Sequence, residues 1–323
     1  YHERGFRTIK SNYKGCCQQD HKRCENIIGL LNVIKPPGMT SNDLTRTLSK
    51  ALGISKVGHT GTLDPGAAGV LPICLGKATK LTEYLLSDNK TYRCEMVLGI
   101  ETDTLDAYGT VLRQSTDYPD ENTIKIVLTE FIGDISQIPP AFSALKVNGN
   151  KLYELARSGI ITQAQSRNVT VTRLDFIRFI HPNRVMFEVD CSKGTYIRTL
   201  CQDIGRRLGC GAYMSFLLRT ASGKFLLSDA YTIDEIEEAA TLGSIGNIVI
   251  SMDEALDQYG KVVISQNAYK RAVNGNIISF EEIISADDLV EAAIARVFCE
   301  NRFIGMGKIL PPSGKLTMEK VLI

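Results

Sequence analysis

Asp64 stands in the run Gly58-His59-Thr60-Gly61-Thr62-Leu63-Asp64-Pro65, a loop made to present one carboxylate. Three glycines within nine residues (Gly58, Gly61, Gly66) allow positive φ and close backbone approach, and Pro65 fixes the turn behind the acid. An acid presented in this way suits covalent or electrostatic chemistry on a substrate seated in a cleft. No Walker-type glycine loop, dinucleotide fingerprint or Cys/His cluster accompanies it, so neither a metal nor a nucleotide cofactor is expected. Near the start of the chain, Cys16, Cys17, His21 and Cys24 invite a zinc reading. The adjacent Cys16-Cys17 pair lacks knuckle spacing and no second half follows, which predicts a poorly ordered extension over 1–26 instead.

The elements that must position Asp64 are legible on both sides. Leu44, Leu48 and Leu52 repeat every four residues and predict an amphipathic helix over Ser41–Leu52. Gly69–Leu75 is a short apolar run and predicts a buried strand. Alternation over Thr91–Gly99 and Val185–Cys191 predicts two further strands, with helices over Thr123–Phe131 and Ile197–Leu208. Residues 139–168, rich in Pro, Gly, Asn and Lys, form an excursion from the sheet of the kind that is usually functional. Thr232-Ile233-Asp234-Glu235 is a capping box that opens an acidic helix. After Asp257-Gln258-Tyr259-Gly260 the segments shorten, and Ala295–Gly307 predicts a hairpin turning at Glu300-Asn301. The mixed pattern is α+β: one large domain over 27–257 and a small β-domain over 258–323.

Composition narrows the class. The 323 residues are 44% hydrophobic, enough for a sizeable core. No apolar run approaches the roughly 20 residues of a membrane helix, and no apolar signal segment opens the sequence. Nine cysteines, an odd number scattered through core-like segments, predict reduced thiols and a cytoplasmic setting. The formal net charge is +1, yet residues 146–219 hold twelve Lys/Arg against five Asp/Glu. That basic middle predicts a face that neutralises phosphates.

Several ordered motifs together resemble the TruB family of tRNA pseudouridine synthases. The Asp64 run with Ala68-Gly69-Val70-Leu71-Pro72 is similar to its catalytic motif, and Asn32-Val33-Ile34-Lys35-Pro36-Pro37-Gly38-Met39-Thr40-Ser41 to its N-terminal motif. Lys90-Thr91-Tyr92 resembles the segment bearing its active-site tyrosine. Ile138–Gly149 and Tyr153-Glu154-Leu155-Ala156-Arg157 resemble its RNA-gripping insertion, and Cys191–Leu200 the motif with its active-site arginine. The C-terminal stretch resembles a PUA-type RNA-binding module.

The resemblance implies a pseudouridine synthase fold: a mixed, mainly antiparallel sheet with a central active-site cleft and a PUA-like C-terminal domain. It implies isomerisation of uridine, at position 55 in the T-arm stem-loop of tRNA, by a monomer that needs no protein partner. The reaction breaks the C1′–N1 bond, turns the base and joins C1′ to C5. Nothing is oxidised or hydrolysed, so no cofactor is needed. Asp64 is the implied nucleophile or counter-charge, at C1′ or at C6. Arg198 pairs with it and aims it. Tyr92 lays its ring on the extruded uracil and takes part in proton transfer. His59 fills the gap left by the flipped base. Tyr196 packs behind the site. Leu217 or Leu218 supplies an apolar wall, Leu218 being the one expected to touch substrate. Lys35, Lys146 and Lys193 are expected RNA contacts. The other readings are a relative working inside a guide-RNA particle and a catalytically idle RNA-binding protein. The joint presence of Asp64, Tyr92 and Arg198 speaks against the idle form.

Overall fold

Long alternating strands set the plan of the molecule. The computed structural model describes residues 27–323 apart from 87–88, 144, 148, 159, 161–163, 182, 288–292 and 311–313. The expectations for residues 1–26, including Cys16, Cys17, His21 and Cys24, lie outside the described residues. In chain order the first strands are β1 (Gly29–Lys35), β2 (Val57–His59), β3 (Ala68–Leu75) and β4 (Lys90–Leu98). A small hairpin, β5 (Ile100–Thr102) and β6 (Val111–Gln114), precedes β7 (Gly133–Gln137). The excursion after β7 carries a second small hairpin, β8 (Lys146–Val147) and β9 (Asn150–Lys151). Then come β10 (Arg167–His181), β11 (Arg184–Cys191), β12 (Ala212–Ser222) and β13 (Phe225–Leu226).

Nine of these strands make one sheet in the order β1-β3-β12-β4-β11-β10-β7, with β2 on β3 and β13 on β12. All its pairings are antiparallel except β3 with β12. Every residue of β3 is buried, as its unbroken apolar sequence requires of a strand covered on both faces. The fold is therefore α+β with a mixed, mainly antiparallel sheet.

Helices close the sheet. α1 (Ser41–Leu52) buries Leu44, Leu48 and Leu52; Thr40 and Asp43 form a reciprocal capping box at its start, and Gly53 in the left-handed conformation ends it. After the short α2 (Thr82–Leu85), α3 spans Glu121–Thr129 and starts two residues before the expected boundary. The reason is Asp120, whose carboxylate accepts the Thr123 amide and caps the helix there. α4 (Leu152–Arg157) belongs to the excursion, and α5 (Ile197–Arg207) buries Leu200, Cys201 and Ile204. The Thr232 capping box opens α6 (Ile233–Thr241), followed by α7 (Met252–Ala255).

The C-terminal sheet comprises β14 (Gly260–Ile264), β15 (Ile283–Ala286), β16 (Ile294–Cys299), β17 (Arg302–Leu310) and β18 (Lys315–Val321), in the order β15-β14-β16-β17-β18. α8 (Gln266–Val273) packs on it. The β16–β17 hairpin turns at Glu300, where φ is 54°. This sheet is not loosely tethered. Met306 and Leu322 share a core with Leu30, Val70, Leu81 and Leu85 of the large unit. Around that core Tyr84 donates to Glu319 (3.0 Å), Lys80 to the Val321 carbonyl (2.9 Å), and Lys320 pairs with Glu83 (2.8 Å).

The basic middle of the sequence reads differently once folded. Arg173 is held by Asp175, Glu188 and Asp190, Arg184 by Glu95, and Arg207 by Glu130. Glu95 and Glu130, from outside the segment, thus answer part of the excess charge, and Arg198 and Arg219 are buried.

Candidate active site

The Asp64 loop is fixed from several directions. Ser41, first residue of α1, accepts the Leu63 amide (2.9 Å) and donates to the Leu63 carbonyl (3.1 Å). Gly38 N–H donates to the Pro65 carbonyl at 2.8 Å, and the buried Lys35 ammonium donates to the carbonyls of Pro36 (2.9 Å), Met39 (2.9 Å) and Pro65 (3.4 Å). Gly61 has φ of 125°, a conformation open to glycine, and a Cβ at Gly66 would lie 2.5 Å from the Tyr108 ring. Gly58 needs neither allowance: its φ is not positive and a Cβ would make ordinary contact.

Arg198, in the first turn of α5 and 5% exposed, meets Asp64 through two prongs: Nε to Oδ2 at 2.9 Å and Nη2 to Oδ1 at 3.4 Å. The same guanidinium donates to the Phe142 carbonyl (2.9 Å) and the Thr104 carbonyl (3.2 Å), and reaches Asp106 Oδ2 at 3.5 Å. One side chain therefore ties the catalytic-type loop to the β5–β6 hairpin and to the excursion after β7. Asp106 is itself oriented by the Thr104 hydroxyl (2.6 Å) and the Tyr108 amide (3.0 Å).

Two hollows meet at this pair. One, of about 730 Å³, is lined by Tyr92, Lys90, Arg167, Lys193, Tyr196 and Arg219 among others. The second, of about 590 Å³, is lined by His59, Asp106, Tyr108, Met214 and Phe216 among others. Thr62, Leu63, Asp64, Ser143, Arg198 and Leu217 border both. The carboxylate thus stands on a ridge between two spaces, with an apolar Leu217 beside it.

Tyr92 on β4 lies directly across from Arg219 on β12 and is buried. Burial pushes its phenol up, with Arg219 acting in the other direction. His59 on β2 is pushed down, first by burial and then by Arg219, which keeps the ring neutral near pH 7. Its Nδ1 is buried without a hydrogen-bond partner, as is the Ser143 Oγ at the border of the two hollows.

The structure brings Asp64, Arg198, Tyr92, His59, Tyr196 and Lys193 to one cleft. Tyr196 is pinned by Gln137, which accepts its amide (3.0 Å) and donates to its carbonyl (3.3 Å); its side chain lines the larger hollow. Lys193 stands exposed at the rim. Two expected contacts, Lys35 and Leu218, are placed otherwise, and the side chain of a third, Lys146, is not described. Lys35 is fully buried under the loop and spends its donors on carbonyls, so it shapes the loop instead of facing RNA. Leu218 borders neither hollow; strand alternation gives that place to Leu217. Lys146 begins β8, and its side chain lies outside the described residues. Sequence reasoning missed Asp106, Ser143 and Arg219. The one available signal was an arginine inside the apolar run of β12, at a position that alternation turns toward the cleft.

The profile for the N-terminal domain of TruB family pseudouridylate synthases matches residues 49–197, and that for the tRNA pseudouridylate synthase B C-terminal domain matches 198–257. A tRNA pseudouridine synthase B from Alkaliphilus oremlandii is 48% identical over 284 residues, 86% of this chain and 92% of that protein. The chain belongs to the TruB family. A tRNA pseudouridine synthase B from Clostridioides difficile is 43% identical over 283 residues, 87% of this TruB-family chain and 94% of that protein. Among solved structures, a Cbf5-Nop10-Gar1 complex superposes with a TM-score of 0.73 at 28% identity, covering 91% of this chain and 85% of that one. An H/ACA RNP bound to a substrate RNA containing 2′-deoxyuridine gives 0.71 at 26% identity, covering 91% and 85%. As a TruB-family pseudouridylate synthase, the chain is an isomerase.

Proposed function

We propose that this chain converts uridine 55 in the T-arm stem-loop of tRNA to pseudouridine, as a free-standing cytoplasmic enzyme with Asp64, Arg198 and Tyr92 at its chemical centre. The observation that carries the reading is the two-pronged Arg198 clamp on Asp64 between two hollows. The identity to proteins named tRNA pseudouridine synthase B supports the substrate class.

A stacked base has to leave its helix before it can reach a carboxylate set between two hollows, at a cost of a few kcal/mol. The larger hollow takes the uracil, with Tyr92 and Leu217 in its lining. Asp64, side chain 39% exposed, keeps one flank open to the nucleotide while Arg198 holds the other. Its charge supports cleavage of C1′–N1, covalently or through space. Once the base has turned, C1′ joins C5. One proton leaves C5 and one arrives at N1, so the balance closes without oxidant or reductant. Tyr92 is the proton-exchanging group nearest the base in this arrangement. His59, neutral and with an unpartnered Nδ1, stands in the adjoining hollow where a displaced base leaves room.

The test uses purified protein alone with an unmodified tRNA transcript carrying [5-³H]uridine, because joining C1′ to C5 releases that tritium. One equivalent released per transcript, mapped to position 55 and abolished by a cytidine there, is the expected result. Release only after a guide RNA is added would identify the particle-bound reading instead. No release from a transcript that the protein binds would identify the idle RNA binder.

A further inference from the structure

Arg219 is the bulkiest fully buried side chain among the described residues, 1% exposed, and the chemistry above assigns it nothing. A buried cation is costly unless something answers its charge. Its Nε donates to the Val70 carbonyl at 2.6 Å and Nη2 to the Gly61 carbonyl at 3.3 Å. Among the described residues no carboxylate oxygen comes within the 4.0 Å of an ion pair. Its charge acts on Lys35, His59 and Tyr92. Two of these are bases. The remaining one is a weak acid, and it sits directly across the β4–β12 pairing, on the same hollow, where cross-strand side chains are in contact range.

We propose that Arg219 is a positioning residue for the isomerisation: its guanidinium holds the Tyr92 phenol oxygen beside the nucleotide and stabilises the phenolate when that oxygen has given up its proton. The inference rests on the pseudouridine-forming reading and deepens it. The phenolate accepts one proton from the nucleotide, and the phenol later returns one. The net reaction remains the loss of a proton at C5 and its gain at N1. The hydrogen bond to Gly61, three residues before Asp64, couples the phenol to the loop that carries the carboxylate.

The surroundings agree with this role. Burial opposes ionisation of Tyr92, Cys191 from β11 and Asp64 from the loop oppose it further, and Arg219 is the group that favours it. Lys90, Arg167 and Lys193 border the same hollow; Lys90 is buried and donates to the Leu86 carbonyl (3.0 Å), Arg167 is half-buried at the start of β10, and Lys193 is exposed at the rim. Arg219 is the one cation among them that a cross-strand pairing sets opposite the phenol.

The test measures single-turnover tritium release against pH for Arg219→Lys and Arg219→Gln, each with tyrosine or 3-fluorotyrosine at position 92. Fluorination makes the phenol more acidic without removing it. Arg219→Gln is expected to slow release about 30-fold or more near pH 7.5 and to move the rising limb of the profile to higher pH; Arg219→Lys is expected to fall between. Fluorotyrosine should shrink both defects by about tenfold. Equal defects with tyrosine and fluorotyrosine, at every pH, would mean that Arg219 only braces the fold, and the proposal would be wrong. Thermal melting accompanies each variant. If the glutamine variant does not fold, the lysine variant and its fluorotyrosine form decide the matter alone. Wild-type protein that releases no tritium would refute the underlying reading instead, so the two failures are distinct.

Discussion

Truncating Arg198 to alanine removes one side chain that serves five acceptor atoms: Asp64 Oδ2 and Oδ1, Asp106 Oδ2, and the carbonyls of Phe142 and Thr104. Bonds to charged groups contribute about 1.5–3 kcal/mol each when well formed. Asp64 is 39% exposed, so water replaces much of its share, whereas Asp106 is 16% exposed and recovers less. Breaking a buried pair from one side costs about 3–5 kcal/mol, and the exposure of Asp64 places this case near 3. At about 2–4 °C per kcal/mol the melting temperature should drop by roughly 6–12 °C. The chemical step should suffer more. A carboxylate free to move by about 1 Å loses about 10² in rate, and loss of the charge-assisted contact about tenfold again. Single-turnover tritium release should therefore be about 10³-fold slower, with RNA affinity nearly unchanged. Arg198→Lys keeps the charge but not the planar fork and should recover at most a tenth of the wild-type rate. A folded alanine variant with a wild-type single-turnover rate would refute the clamp, whatever its melting temperature.

Asp64→Asn preserves size and leaves Arg198 its Asp106, Phe142 and Thr104 contacts, so it should fold normally and bind RNA within about tenfold while turnover falls by at least about 10⁴; substantial residual turnover would remove Asp64 from its role. Ser143→Ala deletes a buried hydroxyl that has no partner, so stability should change by less than about 0.5 kcal/mol while KM for RNA rises about fivefold; unchanged kinetics would show that the hydroxyl meets no substrate atom. Burial pushes the Lys35 ammonium down to about 8 from 10.5, despite Asp64 and helped by Arg219, so the unfolded chain binds its proton more tightly. Stability should rise as pH climbs from about 8 to 10.5 and lose that gain as pH falls, a slope absent from Lys35→Met in melts run across that window. Met306→Ala should cost about 2–5 kcal/mol by opening a cavity in the core shared by both sheets, and the protein should still melt in one transition; two separated transitions would show that the C-terminal sheet unfolds by itself.

What could be read in advance follows from where each signal resides. The α1 boundaries and the buried β3 are written in local periodicity, and the Thr232 box marks its helix by chemistry that acts within four residues. β2 escaped notice because three residues centred on a glycine carry no period; its strand character comes from pairing with β3. Asp106 looked like one more polar loop residue, since the arginine that gives it meaning lies 92 positions away. Lys35 misled in the opposite sense. A lysine in a motif reads as exposed, yet a ring of carbonyls can hold its ammonium inside. Charge counting was incomplete for a related reason: twelve basic residues in a segment say nothing of the acids that fold against them, such as Glu95 and Glu130 from elsewhere in the chain.

The core that joins Met306 and Leu322 to Leu30, Val70, Leu81 and Leu85 has a geometric consequence. Two binding surfaces on a flexible tether act through local concentration and accept many spacings between their ligands. Here the C-terminal sheet is keyed to the same packed interior as β1 and β3, so its separation from Asp64 is a constant of the molecule. An RNA touching both would be gauged like a part between the jaws of a caliper. A helix one turn too long or a loop bent differently would miss the carboxylate while its phosphates were still held. If the C-terminal sheet holds RNA, such a frame would refuse a wrong RNA without reading a base, and the refusal would appear as bound, unreacted complex.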